Sequence, residues 1–399
     1  MQNSFIRTFV ATIVVSAFLG LAQSAFAQGV TTASLTGFVT NKDGSPVSGA
    51  AVTALNVPSG TKNSTTTRSN GQYDFSGLRV GGPYTVTVSA KDVQPQSQDE
   101  VYLGVAQAEV INFTLSNDIV VLEKMQVTGS SNGAFDPGKI GTSTAFTRQQ
   151  ITQVPTARRD VQDLINLDTR IGLTINTSTG EFSVSAQGQN NRFNSFLVDG
   201  QQSNDPFGLN GNGFASLRSP IPLDAIALLD FSLSPYDVTH SGFTGALINA
   251  ITKSGTNEFH GDAYTYYTGK SLRRANPGQG PTDPNRGVKD PLQEHTYGFS
   301  FGGPIIKDKL FFFVNYENYQ RTGLSYSPVQ FVPGAADLAT ILAAAKAYGI
   351  EPGGLASVVE SKQQSFLAKI DWNINSNQRA TRSRISLIIP MPASTSPFP

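Results

Sequence analysis

The chain has 399 residues, with 29 basic and 29 acidic side chains and a formal net charge of zero. A balanced charge argues against nucleic acid as a partner, because phosphate binding needs an excess of lysine and arginine. Only 15% of the residues are charged, against ~25% in soluble globular proteins. The absence of cysteine excludes disulfides, thiolate zinc sites and cysteine nucleophiles. Abundant glycine and phenylalanine favour a β-rich or outer-membrane protein.

Residues 1–27 have the organisation of a signal peptide. Arg7 precedes an apolar run from Phe9 to Leu21, and Ala25-Phe26-Ala27 forms a small-residue cleavage site. The alternative is an N-terminal membrane anchor, but the run is shorter than the ~20 residues that a spanning helix needs. No later segment reaches that length without charges, so this chain would have to enter a membrane as a β-barrel.

Residues 28–117 are predicted to form a small all-β domain, because short alternating runs are separated by Gly, Pro, Asn and Asp turns. The motifs Gly37-Phe38-Val39-Thr40, Asp43-Gly44 and Asn70-Gly71-Gln72-Tyr73-Asp74-Phe75 resemble the carboxypeptidase-regulatory-like domain. The resemblance implies a seven-stranded β-sandwich with a carbohydrate-binding-like fold, and it does not imply peptidase activity. The expected strands are Ser34–Thr40, Ala50–Asn56, Gln72–Phe75, Tyr84–Ala90 and Val110–Leu115.

Residues 118–130 form a linker whose apolar, β-prone part, Asp118–Gly129, is followed by Ser-Ser-Asn-Gly. The segment is similar to the TonB box of TonB-dependent receptors, and its candidate contact residues are Val120, Val121, Leu122, Val127 and Thr128. Such a segment can add as a strand to the edge of a partner's sheet. The alternative is an ordinary strand of a neighbouring domain.

Residues 131–255 are predicted to be a mixed α/β domain. Phe196-Leu197-Val198-Asp199-Gly200 and the run from Ile248 to Gly261 resemble the plug of TonB-dependent receptors of the Oar-like kind. Within this resemblance Asn190, Asn191 and Arg192 are candidates for contact with substrate. The expected elements are helices at Thr147–Ile151, Asp160–Leu167 and Pro222–Leu229, and strands at Ser195–Gly200 and Ala246–Gly255.

Residues 256–380 show a strict period of two that separates an apolar face from a polar face. In one strand Tyr297, Phe299 and Phe301 alternate with small residues. In two others the polar residues oppose apolar neighbours, and these are Asn315 with Glu317 and Lys369 with Asp371. About ten residues per strand, with short turns on one side and long loops on the other, are typical of a transmembrane barrel. A soluble sandwich also alternates and is the alternative.

The number of expected barrel strands, four or five, is far below the ~22 of a plugged transporter barrel. Residues 381–399 show no clear facing pattern and contain several prolines, which do not belong in a lipid-facing strand. The sequence therefore predicts a mainly β protein with a sandwich, an α/β plug and an incomplete barrel. The expectation for residues 381–399 is an aberrant tail from a frameshift or a broken gene.

The functional expectation follows from these resemblances. None of the three histidines has a zinc-peptidase spacing, so no catalytic, metal or cofactor site is expected. The implied function is TonB-dependent uptake across the outer membrane, with the TonB complex, outer-membrane lipid and an unknown ligand as partners. The carbohydrate-binding-like domain slightly favours glycan fragments as the ligand, and siderophores and peptides are left open as the other classes. The alternative function is adhesion or carbohydrate binding at the cell surface without transport, and a secreted hydrolase is disfavoured.

Overall fold

The computed structural model describes most of the chain between residues 31 and 388. The described ranges are 31–116, 142–175, 182–234, 243–272, 293–326, 340–349 and 356–388, except residues 92, 106–107, 157–158, 209, 217, 270, 341–342 and 376–377. The predicted signal peptide and the TonB-box-like residues Val120, Val121, Leu122, Val127 and Thr128 lie outside the described residues. The described part is mainly β, as the sequence predicted.

The first unit, here called the sandwich, consists of two packed sheets. One sheet has the order β4-β1-β7, with β8 also pairing with β1, and the other has the order β3-β2-β5-β6. Because β7 and β8 pair with successive parts of β1, they share one strand position, and the sandwich has the seven positions that the resemblance implied. Its strands are β1 Thr32–Asn41, β2 Ala51–Asn56, β3 Thr61–Thr66, β4 Gln72–Arg79, β5 Gly81–Ser89, β6 Gln96–Leu103, β7 Ala108–Val110 and β8 Phe113–Leu115.

The core of the sandwich follows from the alternation of its strands. Leu35 in β1 and Val52 in β2 are fully buried, as are Tyr73 and Tyr84. The buried Tyr73 hydroxyl donates a hydrogen bond of 2.7 Å to the carbonyl of Ile111, which satisfies its polar end. The sequence does not predict strands β3 and β6, because β3 is Thr-rich and polar and half of β6 is charged or amide-bearing.

The second unit, here called the central domain, is a five-stranded sheet with short helices. Its strand order is β13-β12-β15-β14-β9, and β10 and β11 form a separate hairpin. The elements are β9 Thr142–Thr147, α1 Arg148–Gln153, α2 Val161–Ile165, β10 Ile171–Ile175, β11 Phe182–Ala186, β12 Ser195–Val198, β13 Gln201–Gln202, β14 Ile226–Ser234 and β15 Leu247–Thr252, with 3-10 turns at Asn191–Phe193 and Leu223–Ala225.

Local sequence explains where the two helices begin. Thr147 and Gln150 form a capping box at the start of α1, and Asp160 caps α2 by accepting from the amide of Gln162. The helix predicted over Pro222–Leu229 is wrong, because only one 3-10 turn forms there and β14 starts at Ile226. Pairing of β14 with both β9 and β15 overrides the short apolar run that suggested a helix.

The third unit, here called the C-terminal sheet, is an antiparallel meander of five strands paired in chain order. Its last strand, Arg379–Ile388, extends the sheet beyond the predicted boundary at residue 380, because its ten residues all pair with the strand before it. The burial of these residues does not alternate, in line with the absence of a clear facing pattern in the sequence. The strands are β16 His260–Thr268, β17 Gln293–Ile306, β18 Leu310–Tyr326, β19 Ala356–Asn373 and β20 Arg379–Ile388. Among the described residues, no helix is long and apolar enough to cross a membrane.

Candidate functional site

The C-terminal sheet has its polar face buried and its apolar face exposed. In β19, Lys369 and Asp371 are 6% and 2% exposed, whereas Ile370 and Trp372 are 50% and 51% exposed. A soluble sandwich would instead bury the apolar face and expose the polar face. The predicted division into two faces is therefore confirmed, and the exposed apolar face is the arrangement of a barrel wall that faces lipid.

The central domain covers the polar face of the C-terminal sheet. Phe313 and Leu367 of the sheet belong to the same apolar core as Ile165 and Phe231 of the central domain. Around this apolar contact the two units meet through charged and hydrogen-bonded side chains. We call this set of contacts the polar seam, and its members are Arg159, Asp160, Asp199, Arg218, Asp224 and Thr252 of the central domain, with Tyr264, Glu317, Tyr319, Gln363 and Lys369 of the sheet.

Arg218 is the centre of one part of the polar seam. Its Nε lies 3.5 Å from Asp160 Oδ2 and its Nη1 lies 4.0 Å from Glu317 Oε1, while its guanidinium stacks 4.3 Å from the ring centroid of Tyr319. Burial alone would lower the pKa of Arg218, but Asp160 and Glu317 outweigh it and the pKa is raised. The charge on Arg218 is thus compensated from both sides of the seam, as a buried charge must be.

The backbone next to Arg218 is also anchored from both sides. The amide of Ser219 donates to Asp160 Oδ2 over 3.1 Å. From the sheet, Gln363 Oε1 accepts from the amide of Arg218 over 3.2 Å, and Gln363 Nε2 donates to the carbonyl of Ser219 over 3.1 Å. These bonds fix the position of the Arg218 side chain, because they hold its own peptide units against α2 and β19.

A second part of the polar seam surrounds Lys369. Lys369 Nζ donates to Thr252 Oγ1 over 2.9 Å and to the Thr252 carbonyl over 3.2 Å. Asp199 accepts from the Thr252 hydroxyl over 2.6 Å and from its amide over 2.9 Å, and it lies 3.7 Å from Lys369 Nζ. The Asp199-Gly200 pair has the sequence of a turn, and Asp199 does occupy a turn with a positive φ of 47°. Its carboxylate also joins β15 to the sheet.

The third part of the polar seam is cationic and aromatic. Asp224 forms ion pairs with Arg159 and with Arg148. The guanidinium of Arg159 stacks on the rings of Tyr264 and Tyr266 at 5.1 and 4.1 Å, which is within the range of cation–π attraction. The aromatic side chains of β16 therefore serve as the surface on which Arg159 rests.

The substrate candidates Asn190, Asn191 and Arg192 lie together on an exposed loop of the central domain. Asn190 Oδ1 accepts from the amide of Arg192 over 3.1 Å, and Asn191 Nδ2 donates to the carbonyl of Gly211 over 2.5 Å. The two asparagines thus shape the loop, and the Arg192 side chain is exposed at its surface. Contact with substrate remains a prediction for all three.

Sequence reasoning did not identify the residues of the polar seam as a site. Arg218 and Glu317 are 99 positions apart and Lys369 and Asp199 are 170 apart, so no local motif joins them. The one available signal was the polar face of the predicted barrel strands, which already contained Glu317 and Lys369. Over the part of the chain that the structure describes, no cluster of His, Asp and Glu could hold a metal ion.

Comparison with known proteins gives the class of this protein. Residues 34–116 match the carboxypeptidase regulatory-like domain, and residues 251–356 match the outer membrane beta barrel domain. The chain is therefore an outer-membrane protein that combines these two domains.

Among curated proteins, the chain is similar to the TonB-dependent transporter Oar of Myxococcus xanthus. It is 26% identical to that protein over 321 residues, which are 78% of this chain and 29% of the relative. It is also 28% identical over 189 residues to a probable TonB-dependent siderophore receptor, PirA, of Acinetobacter baumannii, covering 44% of this chain and 22% of the relative. The chain thus spans less than a third of the length of either relative, and both are transporters or receptors rather than enzymes.

Solved structures of siderophore receptors are also similar to parts of this chain. The PirA structure from Acinetobacter baumannii has a TM-score of 0.39 at 21% identity, and the match covers 62% of this chain and 32% of PirA. The ferric enterobactin receptor PfeA of Pseudomonas aeruginosa has a TM-score of 0.40 at 17% identity, and the match covers 62% of this chain and 33% of PfeA.

Proposed function

We propose that the chain acts in energy-coupled uptake across the outer membrane, with the central domain as the plug and the C-terminal sheet as the first strands of the surrounding barrel. The observation that carries the proposal is the polar seam. A protein–protein hydrogen bond contributes only ~0.5–1.5 kcal/mol net, because water can replace either partner. A plug held largely by such contacts can therefore be displaced into a wet lumen at a modest cost in free energy.

The energy would be transmitted through residues 118–130. Val120, Val121 and Leu122, followed by Val127 and Thr128, form the β-prone part of this segment. We expect it to add as a strand to a sheet edge of TonB, the partner in the inner membrane, because main-chain pairing tolerates a degenerate sequence. Movement of this segment would then pull on the central domain, which follows it in the chain.

The ligand that we propose is a ferric siderophore, with a glycan as the alternative. The siderophore class is supported by the similarity to PirA, a probable TonB-dependent siderophore receptor. The glycan class is supported only by the likeness of the sandwich to carbohydrate-binding folds. The exposed cation Arg192, with Asn190 and Asn191 beside it, would favour an anionic ligand.

A matched pair of proline variants tests the coupling. Leu122→Pro interrupts the β-prone segment, because proline cannot donate to a strand ladder, whereas Asn132→Pro places the same residue in the polar stretch behind it. We expect Leu122→Pro to abolish co-purification of TonB and uptake of radiolabelled ferric siderophore, while Asn132→Pro retains both. Glycan binding at the cell surface that neither variant changes, without any uptake, would support the adhesion alternative and refute the proposal.

A further inference from the structure

The sandwich contacts both of the other units, and its contacts converge on residues 253–259. We call these residues the exit segment, because they lead from β15 of the central domain to β16 of the C-terminal sheet. The amide of Asn257 donates to the carbonyl of Pro58 over 3.0 Å. Arg79 Nη1 donates to the carbonyl of Gly255 over 3.3 Å, and its guanidinium lies 5.6 Å from the ring centroid of Phe311.

The turn between β2 and β3 fits against the short-turn end of the C-terminal sheet. Asn373 Nδ2 donates to Thr61 Oγ1 over 2.8 Å and to the carbonyl of Asp308 over 3.1 Å. Asn257 and Asp308 exchange two hydrogen bonds of 2.7 and 2.8 Å. The turn, the exit segment and the end of the sheet thus form one hydrogen-bonded group.

A small apolar cluster joins the sandwich to the central domain. Val105 of the sandwich packs with Leu228 and Ile251 of the central domain, and all three are at most 4% exposed. Val80 of the sandwich is partly buried and packs against this cluster. Because these residues are as buried as those of the domain cores, the contact is a packed interface that excludes water.

The closeness of the fit is visible at Gly60, in the turn between β2 and β3. A Cβ at Gly60 would collide with Asp308 Oδ1 and Asn257 Nδ2. Gly44 lies in another turn of the sandwich with a similar positive φ, 80° against 65°, and a Cβ there would meet nothing within 4 Å. Glycine at position 60 therefore leaves the space that the Asp308 and Asn257 side chains occupy, and it also suits the positive φ of the turn.

We propose that the sandwich is a clamp on the exit segment. It binds the end of β15, the exit segment and the short-turn end of the C-terminal sheet at the same time, and so holds the central domain and the sheet together at that end. The central domain cannot move relative to the sheet there without exchanging these contacts. The clamp does not depend on TonB or on the identity of the ligand, so it can fail while the proposed uptake function holds, and the reverse.

The glycine pair provides the first test. Hydrogen exchange is measured by mass spectrometry on the full chain in detergent micelles, for Gly60→Ala and for the matched control Gly44→Ala. Both variants place a side chain at positive φ, but only Gly60→Ala disturbs the contact. In Gly60→Ala the hydrogen bond from the Asn257 amide to the Pro58 carbonyl should be lost. Exchange in a peptide covering residues 253–259 should then be roughly tenfold faster, with no change in Gly44→Ala. Equal exchange of that peptide in the two variants would overturn the proposal.

Cysteine pairs provide a second test that does not depend on the folding of a glycine variant. The natural chain has no cysteine, so a crosslink formed by a short bis-maleimide between Thr61→Cys and Asn373→Cys has no background. The control pair is Thr65→Cys with Asn373→Cys, because Thr65 lies four residues further along the same face of β3, ~13 Å away. We expect the first pair to crosslink and the control pair not to. Equal yields from the two pairs, or no crosslink from the first, would refute the clamp.

Discussion

Replacement of Lys369 by methionine gives the sharpest test of the polar seam. Lys369 is 6% exposed, and its ammonium donates two hydrogen bonds to Thr252 and lies 3.7 Å from Asp199. Methionine keeps most of the side-chain volume and removes the charge. The Asp199 carboxylate then stays buried with only the hydroxyl and the amide of Thr252 as donors.

The expected magnitude follows from the geometry of these contacts. Removing one member of a buried ion pair costs ~3–5 kcal/mol, and the two bonds that Asp199 keeps place the expected loss at about 2–3 kcal/mol. Lys362 on the same strand is the matched control. Its ammonium lies 2.8 Å from Glu360 with both side chains well exposed, so Lys362→Met should cost less than ~1 kcal/mol.

Hydrogen exchange of the β15 peptide, residues 247–252, measures the loss in the full chain in detergent micelles. A loss of about 2–3 kcal/mol corresponds to roughly 30- to 150-fold faster exchange. Adding Asp199→Asn to Lys369→Met should recover part of the loss, because the stranded carboxylate is neutralised. Equal exchange in Lys369→Met and Lys362→Met would show that the seam does not hold β15 to the sheet.

Three further predictions concern pH and the membrane. The hydrogen bond from Arg170 lowers the pKa of Asp168 to about 2. Asp168 should therefore contribute about 2 kcal/mol to the free energy of unfolding at neutral pH, and this contribution should be lost as the pH falls from about 4 to about 2. Chemical denaturation should show this loss in the wild type and not in Asp168→Asn. Burial, with Arg148 nearby, lowers the pKa of Lys253 to about 8. Above pH 8 the unfolded protein therefore binds more protons than the folded protein does. The free energy of unfolding should rise from pH 8 to about 10 in the wild type but not in Lys253→Met. Ile370→Arg should destabilise the membrane-embedded form by ~2–4 kcal/mol in urea titrations in lipid vesicles, because it places a charge on the lipid face; an unchanged midpoint would contradict that face assignment.

The elements that the sequence predicted correctly are those whose pattern is local and long. Burial alternates over eight residues or more in each of β17, β18 and β19, and Thr147 and Asp160 cap the two helices. The wrong predictions lie where pairing with strands distant in the sequence determines the secondary structure. The run from Pro222 to Leu229 is apolar without a clear period, and its pairing with β9 and β15 makes it a strand from Ile226.

The polar seam could be predicted only in part. The sequence placed Glu317 and Lys369 on the polar face of the predicted barrel strands, and that face is where the seam forms. The sequence did not indicate their partners, because Arg218 and Asp199 come from turns of another unit, far away along the chain. Asp199 in particular has a local explanation as a turn residue, which hid its second role as the acceptor for Thr252.

The central claim is that the C-terminal sheet is a membrane wall whose polar face carries the central domain. Spin labels at Phe299→Cys and at Ser300→Cys test it directly in a chain without natural cysteine, since these neighbours lie on opposite faces, 45% and 4% exposed. In lipid vesicles, the label at position 299 should be relaxed by oxygen dissolved in lipid, and the label at position 300 should be shielded. Shielding at position 299 with free access at position 300 would contradict the claim and would support the alternative of a soluble sandwich.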